Sequence, residues 1–290
     1  MKYRHSFHAG NFADVHKHVA LLALLRAMQH KDKGFLYLDT HAGAGRYDLS
    51  AVDRHGSAEA RMGVTALLNA AAGLECAELR HYAEVVSALR ASLPDAAAYP
   101  GSPWLAAHTL RTQDRGVCWE IVPAQCRQLS RALAGMRRMR IECADGYRQL
   151  SALLPPRERR CLLLIDPPYE DPPAEFEQAS QAAAAALARL ANTVIALWYP
   201  IKDERALPGW LARIERQISA PCLSLELWIY PRDSRVGLNG SGLLIINPPF
   251  QFEQHAQRWQ AELQQLLGKA QGGSSTRWLV REPDMHHAGA

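Results

Sequence analysis

Five short apolar runs, each closed by turn residues, constrain this chain more than any other feature: 35–38, 116–119, 139–143, 161–165 and 193–198. They are too short for helices and too uniformly apolar for half-exposed strands, so they predict strands buried on both faces. Stretches of helical periodicity (15–28, 123–134, 147–153 and 176–190) flank them. Strand alternating with helix predicts an α/β protein with a doubly wound, mostly parallel sheet. Two later runs, 223–230 and 242–246, are separated by turn material at Arg232-Asp233-Ser234 and 237–240. They predict a C-terminal hairpin, and so one antiparallel strand. Gly272-Gly273-Ser274-Ser275 reads as a flexible link to a short terminal strand at 277–280.

One segment breaks the alternation. No strand pattern occurs between Gly45 and Gly116, whereas 57–72 and 75–93 read as helices. The second carries Leu79, Tyr82, Val86 and Leu89 as one apolar stripe. The expectation is a helical subdomain at 47–103, inserted into a main domain made of 1–46 and 104–290. The insertion ends at Tyr99-Pro100-Gly101-Ser102-Pro103. With 48% apolar and 21% charged residues over 290 positions, the chain can bury a core without disulfides or a structural metal.

Six cysteines form no Cys-x-x-Cys pair, and most sit in apolar runs, as buried thiols do. The longest apolar run, 179–197, is interrupted by Arg189 and Asn192, which argues against a membrane span. No apolar stretch follows the basic N-terminus, so a signal peptide is not expected. These features together predict a soluble cytoplasmic protein with no membrane or stable protein partner. A net charge of +4 is too mild to mark a nucleic-acid binder. Two clusters, Arg137/Arg138/Arg140 and Arg157/Arg159/Arg160, are either solvated faces or phosphate-tracking patches.

The candidate chemistry lies at the strand ends. The first strand closes with Asp39-Thr40-His41-Ala42-Gly43-Ala44-Gly45, where Gly-x-Gly permits a tight turn and close approach of a ligand to the backbone. The dinucleotide fingerprint is incomplete, because position 48 is Asp. Glu120 closes the second strand, placed to accept hydrogen bonds from ribose hydroxyls, and Asp145-Gly146 follows the third. Each carboxylate alone could simply cap a helix. Together they line the crevice where open α/β sheets bind ligands, and they suit an adenosine better than a diphosphate. No P-loop lysine accompanies them.

After the fourth strand comes Asp166-Pro167-Pro168-Tyr169. Two prolines fix a rigid, extended loop without N–H groups, leaving carbonyl and carboxylate oxygens as acceptors. Such a loop fits an exocyclic amine on a flat heteroaromatic ring, with Tyr169 offering a stacking face. The motif is similar to the [Asp/Asn]-Pro-Pro-[Tyr/Phe/Trp] loop of S-adenosylmethionine-dependent amino-methyltransferases. Asn247-Pro248-Pro249-Phe250 fits the same pattern, but it follows the antiparallel strand, whose end points away from the cofactor edge. A structural role is expected there.

Further segments narrow the resemblance: Tyr3 to Asn11, Ala13-Asp14-Val15, Lys17-His18, Phe35 to Tyr47, Tyr99 to Pro103, Ala196-Leu197-Trp198-Tyr199-Pro200 and Asn247-Pro248-Pro249. Together they resemble the RlmJ family, S-adenosylmethionine-dependent methyltransferases that modify N6 of an adenine in 23S ribosomal RNA. The resemblance implies a Rossmann-like class I methyltransferase sheet, an RNA-binding enzyme of rRNA processing, and large-subunit ribosomal RNA, before full assembly, as partner. It implies that His18, His41, Ser102, Glu120, Asp145 and Gly146 contact S-adenosylmethionine, that Asp166 is catalytic, and that Tyr3 contacts the target base. Lys17 is a further candidate for the cofactor carboxylate. The histidines His5, His8, His16, His18 and His41 lack a closed zinc-type spacing, so no metal is expected. The proline loop by itself leaves DNA adenine and RNA guanine-N2 methylation open as alternatives. A DNA-binding role in the use of external DNA is another.

Overall fold

The computed structural model describes residues 8–50, 59–93, 97–202, 207–234, 236–269 and 271–281. Ten strands and nine α-helices are assigned among them. In chain order the strands are β1 (Leu36–Asp39), β2 (Arg46–Asp48), β3 (Ala98–Pro100), β4 (Arg115–Trp119), β5 (Met139–Glu142), β6 (Cys161–Ile165), β7 (Val194–Ile201), β8 (Cys222–Trp228), β9 (Gly240–Ile246) and β10 (Gly273–Val280). The helices are α1 (Phe12–Gln29), α2 (Ala66–Asn69), α3 (Ala77–Ala91), α4 (Ser102–Thr109), α5 (Pro123–Ala132), α6 (Gly146–Leu153), α7 (Pro172–Arg189), α8 (Leu207–Gln217) and α9 (Phe252–Leu267).

Eight strands form one sheet in the order β10-β8-β9-β7-β6-β1-β4-β5. The run β5-β4-β1-β6-β7 is parallel, and β9 inserts antiparallel between β7 and β8. Every residue of β1, β6 and β7 is buried, which is why these segments read as continuous apolar runs. All five parallel strands therefore end at one edge, and the loops after β1, β4 and β6 meet there.

Helix α1 is capped by Asn11, whose side chain accepts the Asp14 N–H at 2.9 Å. It buries polar as well as apolar residues (Asp14, His16, Lys17 and His18) because it is packed among α4, α3 and β9 rather than lying on the surface.

Several sequence expectations change. Residues 273–275, expected as part of a flexible link, are the first of β10 and pair with 226–228 of β8. β5 is not buried on both faces, because it is the edge strand of the sheet. The segment after β1 is not free of strand: β2 and β3 pair antiparallel, with Tyr47 opposite Tyr99. Three-residue strands are too short to show a period. The helix expected at 57–72 is broken, and residues 57 and 58 lie outside the described residues. A π-helical turn at Arg61–Thr65 precedes α2, with Gly63 at non-helical φ −107°, ψ −108°. A Cβ at Gly63 would stand 2.2 Å from the Gly10 carbonyl oxygen, so glycine permits the close approach in which Val64 N–H bonds that oxygen at 2.8 Å. Leu79, Tyr82, Val86 and Leu89 of α3 do form a buried stripe, and it joins the same apolar cluster as α1 and the central strands. No described helix is long and apolar enough to cross a membrane.

Candidate active site

The C-terminal edge of the sheet opens into a cavity of about 1020 Å3. At one end stand Gly43, Glu120, Ile121 and Val122, and at the other Lys17, Asp166, Pro167, Pro168 and Trp198. His18, His41 and Ser102 line it between them. Asp145, Gly146 and Tyr169 are not among the lining residues. Tyr3 lies outside the described residues.

Gly43 adopts φ +61°, and a Cβ there would meet the Tyr47 hydroxyl at 2.3 Å. The turn it makes aims the Gly43 N–H at Glu120 Oε2, 2.8 Å away, while Val122 N–H reaches Glu120 Oε1 at 2.7 Å. These two backbone bonds fix the position of Glu120 on the cavity wall. Ile121 and Val122 beside it are 62% and 43% exposed, an apolar wall with nothing of the described chain covering it.

Ser102 opens α4, and its hydroxyl donates to Asp39 Oδ2 at 2.7 Å. Asp39 also accepts Tyr37 Oη–H and the His41 N–H, and burial pushes its carboxyl up to about 6, partly offset by the Ser102 and Tyr37 bonds. Asp39 thus anchors the loop after β1 from beneath. His41 receives or gives a bond at Thr40 Oγ1, and burial pulls its imidazole down to about 4, so it is neutral at pH 7. His18 Nδ1 lies 2.9 Å from the Tyr99 hydroxyl, which bonds Tyr82 in turn, tying the inserted helix to the cavity wall. Asp145 caps α6 by accepting Tyr147 N–H at 3.0 Å. At Gly146 a Cβ would lie 2.4 Å from the Thr40 carbonyl oxygen, so the helix start can abut the β1 loop only as glycine.

At the far end, Lys17 Nζ stands 2.6 Å from Asp166 Oδ2 and 2.9 Å from Asp14 Oδ1, and 5.6 Å from the centroid of the Trp198 ring. Burial alone would depress the lysine, but the two carboxylates outweigh it and raise its pKa, keeping an ammonium in the site. Among the described residues Asp166 Oδ1 has no partner, so one oxygen of this rigidly placed carboxylate faces the cavity unused. Lys17, a candidate for the cofactor carboxylate, directs two of its three donors to Asp14 and Asp166.

Tyr169 also departs from expectation. At φ +53° its ring turns into the core, 2% exposed, between Phe176 and Trp198, and its hydroxyl donates to the Trp198 carbonyl at 2.8 Å. The aromatic surface beside Asp166 is Trp198. It lies in the 196–200 segment that carried the family resemblance, but nothing in the sequence gave it a role. Asn247 takes the structural part: its amide donates to the carbonyls of Ala191 and Thr193 at 2.8 and 2.9 Å, at the opposite edge of the sheet.

A reversed strand between β7 and β8, a glycine turn after β1, an acid after β4 and a proline loop after β6 define a Rossmann-like methyltransferase. Comparison with known proteins agrees. The family model described as "Ribosomal RNA large subunit methyltransferase D, RlmJ" matches residues 32–280, and the chain belongs to that family. It is 38% identical to ribosomal RNA large subunit methyltransferase J of Escherichia coli over 97% of this chain and all of the relative. It is 34% identical to the protein of the same name from Haemophilus influenzae, with the same coverage. A solved structure, protein LPL1258 from Legionella pneumophila, superposes with a TM-score of 0.83 at 32% identity, covering 93% of this chain and 97% of that one. As a methyltransferase the chain uses a methyl donor.

Proposed function

We propose that this enzyme transfers a methyl group from S-adenosylmethionine to the N6 amine of an adenine in 23S ribosomal RNA. The observation that carries the reading is that one cavity joins the Gly43–Glu120 cradle to the free oxygen of Asp166. The donor set fits the cofactor: a carboxylate for ribose hydroxyls, exposed Ile121 and Val122 for a flat ring, and His18, His41 and Ser102 toward the amino-acid end. Asp145 and Gly146, behind the loop after β1, complete the cradle by fixing where α6 begins. When bound, S-adenosylmethionine supplies an electrophilic methyl group.

The chain's own residues then position and polarise the amine. Adenine N6 is a poor nucleophile because its lone pair is delocalised into the ring. Hydrogen bonds from the amine to Asp166 Oδ1 and the Pro167 carbonyl favour a pyramidal nitrogen and put negative charge where positive charge develops. Lys17, 2.6 Å from Oδ2, holds the carboxylate in place. As the amine gains positive charge its proton becomes acidic, and Asp166 can take it. Trp198 presents the aromatic face for the extruded base, a contact worth roughly 1–3 kcal/mol. Tyr3 is proposed to meet the same base.

The test is to treat ribosomal RNA from a strain deleted for this enzyme with labelled cofactor, then identify the product by nucleoside mass spectrometry. N6-methyladenosine at one 23S position is the expected result. Label in DNA alone, or in N2-methylguanosine, would overturn it.

A further inference from the structure

A second concentration of charge lies at the opposite, N-terminal end of the strands. There the structure brings Arg157, from the second arginine cluster, beside the first cluster. Arg137, Arg138, Arg140 and Arg157 line one groove of roughly 360 Å3 together with Arg115. They converge because Gly116 near the start of β4 pairs with Met139 at the start of β5, while the loop before β6 brings Arg157 alongside. Five of the ten lining residues are arginine and one, Asp114, is acidic. A solvated face normally mixes its charges, so this excess calls for a partner.

The local carboxylates are already committed. Asp114 is held by Arg111 through Nε at 2.9 Å and Nη2 at 3.1 Å. Glu158 is held by Arg115 at 2.6 and 3.2 Å and also accepts Arg157 Nε at 3.1 Å. In these pairs the carboxylates are buried, while the arginines stay partly or largely exposed. In the same groove, Arg137 and Arg138 are exposed and, among the described residues, have no ion-pair partner. Arg157 keeps 81% of its side chain exposed, and Arg140, paired with Glu142, keeps 55%. Guanidinium groups present planar forks that match phosphate oxygens, and clustered on one edge they match a row of phosphates rather than a single small anion.

We infer that this groove is a second docking surface for the phosphate backbone of the RNA substrate, separate from the catalytic cavity. The inference rests on the RNA reading above. β4 starts in the groove at Arg115 and leads to Glu120 in the cavity; its five residues span roughly 17 Å at about 3.3 Å each. A folded RNA that delivers one nucleotide to the cavity can therefore lay neighbouring phosphates along the β5 edge. Such contacts fix orientation and affinity without reading sequence.

The test compares R137Q/R138Q with wild type on a large-subunit RNA transcript that the wild type methylates. R213Q/R216Q, which removes the same charge from exposed positions on α8, is the control. The groove variant should bind the transcript roughly tenfold more weakly at moderate salt. Its plot of log affinity against log salt should be shallower by about 1.4–1.8, the release expected for two phosphates. Its kcat at saturating RNA, cofactor affinity and Tm should match wild type, and the control should bind normally. Unchanged affinity and salt slope, or an equal loss in the control, overturns the inference while leaving the RNA reading intact. If the wild type methylates no RNA at all, the functional reading fails and the groove's role falls with it.

Discussion

The Lys17 ammonium, on the first helix, lies 2.6 Å from the Asp166 carboxylate that closes the fourth parallel strand. The pair couples the N-terminal segment of the chain to its proline loop across 149 positions. Lys17 thereby sets where Asp166 points.

Replacing Lys17 by Met should leave Asp14 and Asp166 facing each other without a counter-charge. Breaking a buried pair in this way costs about 3–5 kcal/mol of stability. With Asp166 no longer held by the ammonium, methylation should also slow. A variant with unchanged stability and unchanged turnover would show that the pair is incidental.

Asp166→Asn keeps the shape of the loop but replaces the anionic acceptor. Methylation should fall at least about a hundredfold, the lower range for loss of an acid–base group, with cofactor affinity within a few-fold. Calorimetry and single-turnover assays separate the two quantities. Near-normal turnover would remove Asp166 from the chemistry.

The central strands of the parallel sheet were legible because burial on both faces leaves an unbroken apolar signature, as in Cys161–Ile165, whereas the edge strand β5 is only partly buried. The hairpin of β8 and β9 was legible for the same reason. What escaped depended on long-range placement. Trp198 and Tyr169 are both aromatics near the cavity edge, and only the folded chain shows that Trp198 lines the cavity while Tyr169, at φ +53°, is buried. Asp14 and Lys17 share a helix face by spacing, yet nothing local shows that Asp166 completes the cluster. Helix α9 starts at Gln251 in a left-handed conformation with no side-chain cap, so the usual start signal is missing.

Glu120→Gln tests the cradle. An amide cannot accept both the Gly43 and Val122 N–H groups through two oxygens, so it sets an N–H against one of them. The loop should loosen and the ribose hydroxyls lose a charged acceptor. S-adenosylmethionine binding should weaken by about 1.5–3 kcal/mol, read by calorimetry, with Tm changing far less. Unchanged affinity would make Glu120 a loop anchor only.

The last prediction concerns His16, fully buried on α1. Gln260 Oε1, 3.0 Å from Nε2, is an acceptor only, so Nε2 carries the proton. Nδ1 is then free to accept from Ser241 Oγ at 2.9 Å, while Ser241 accepts the Trp198 indole N–H at 2.9 Å. The chain of bonds runs from the cavity wall to the core and fixes a neutral imidazole. Burial depresses the His16 pKa from 6.5 to about 4, the Gln260 bond opposing only in part. Between those values the unfolded chain binds more protons than the folded one, so stability is complete above pH 6.5 and is lost as pH falls toward 4. From pH 7.5 to 5 this one group should cost about 2 kcal/mol. His16→Gln cannot titrate, and its Tm should fall less than that of wild type over the same range. Parallel pH dependence of the two proteins would mean that His16 does not carry the linkage.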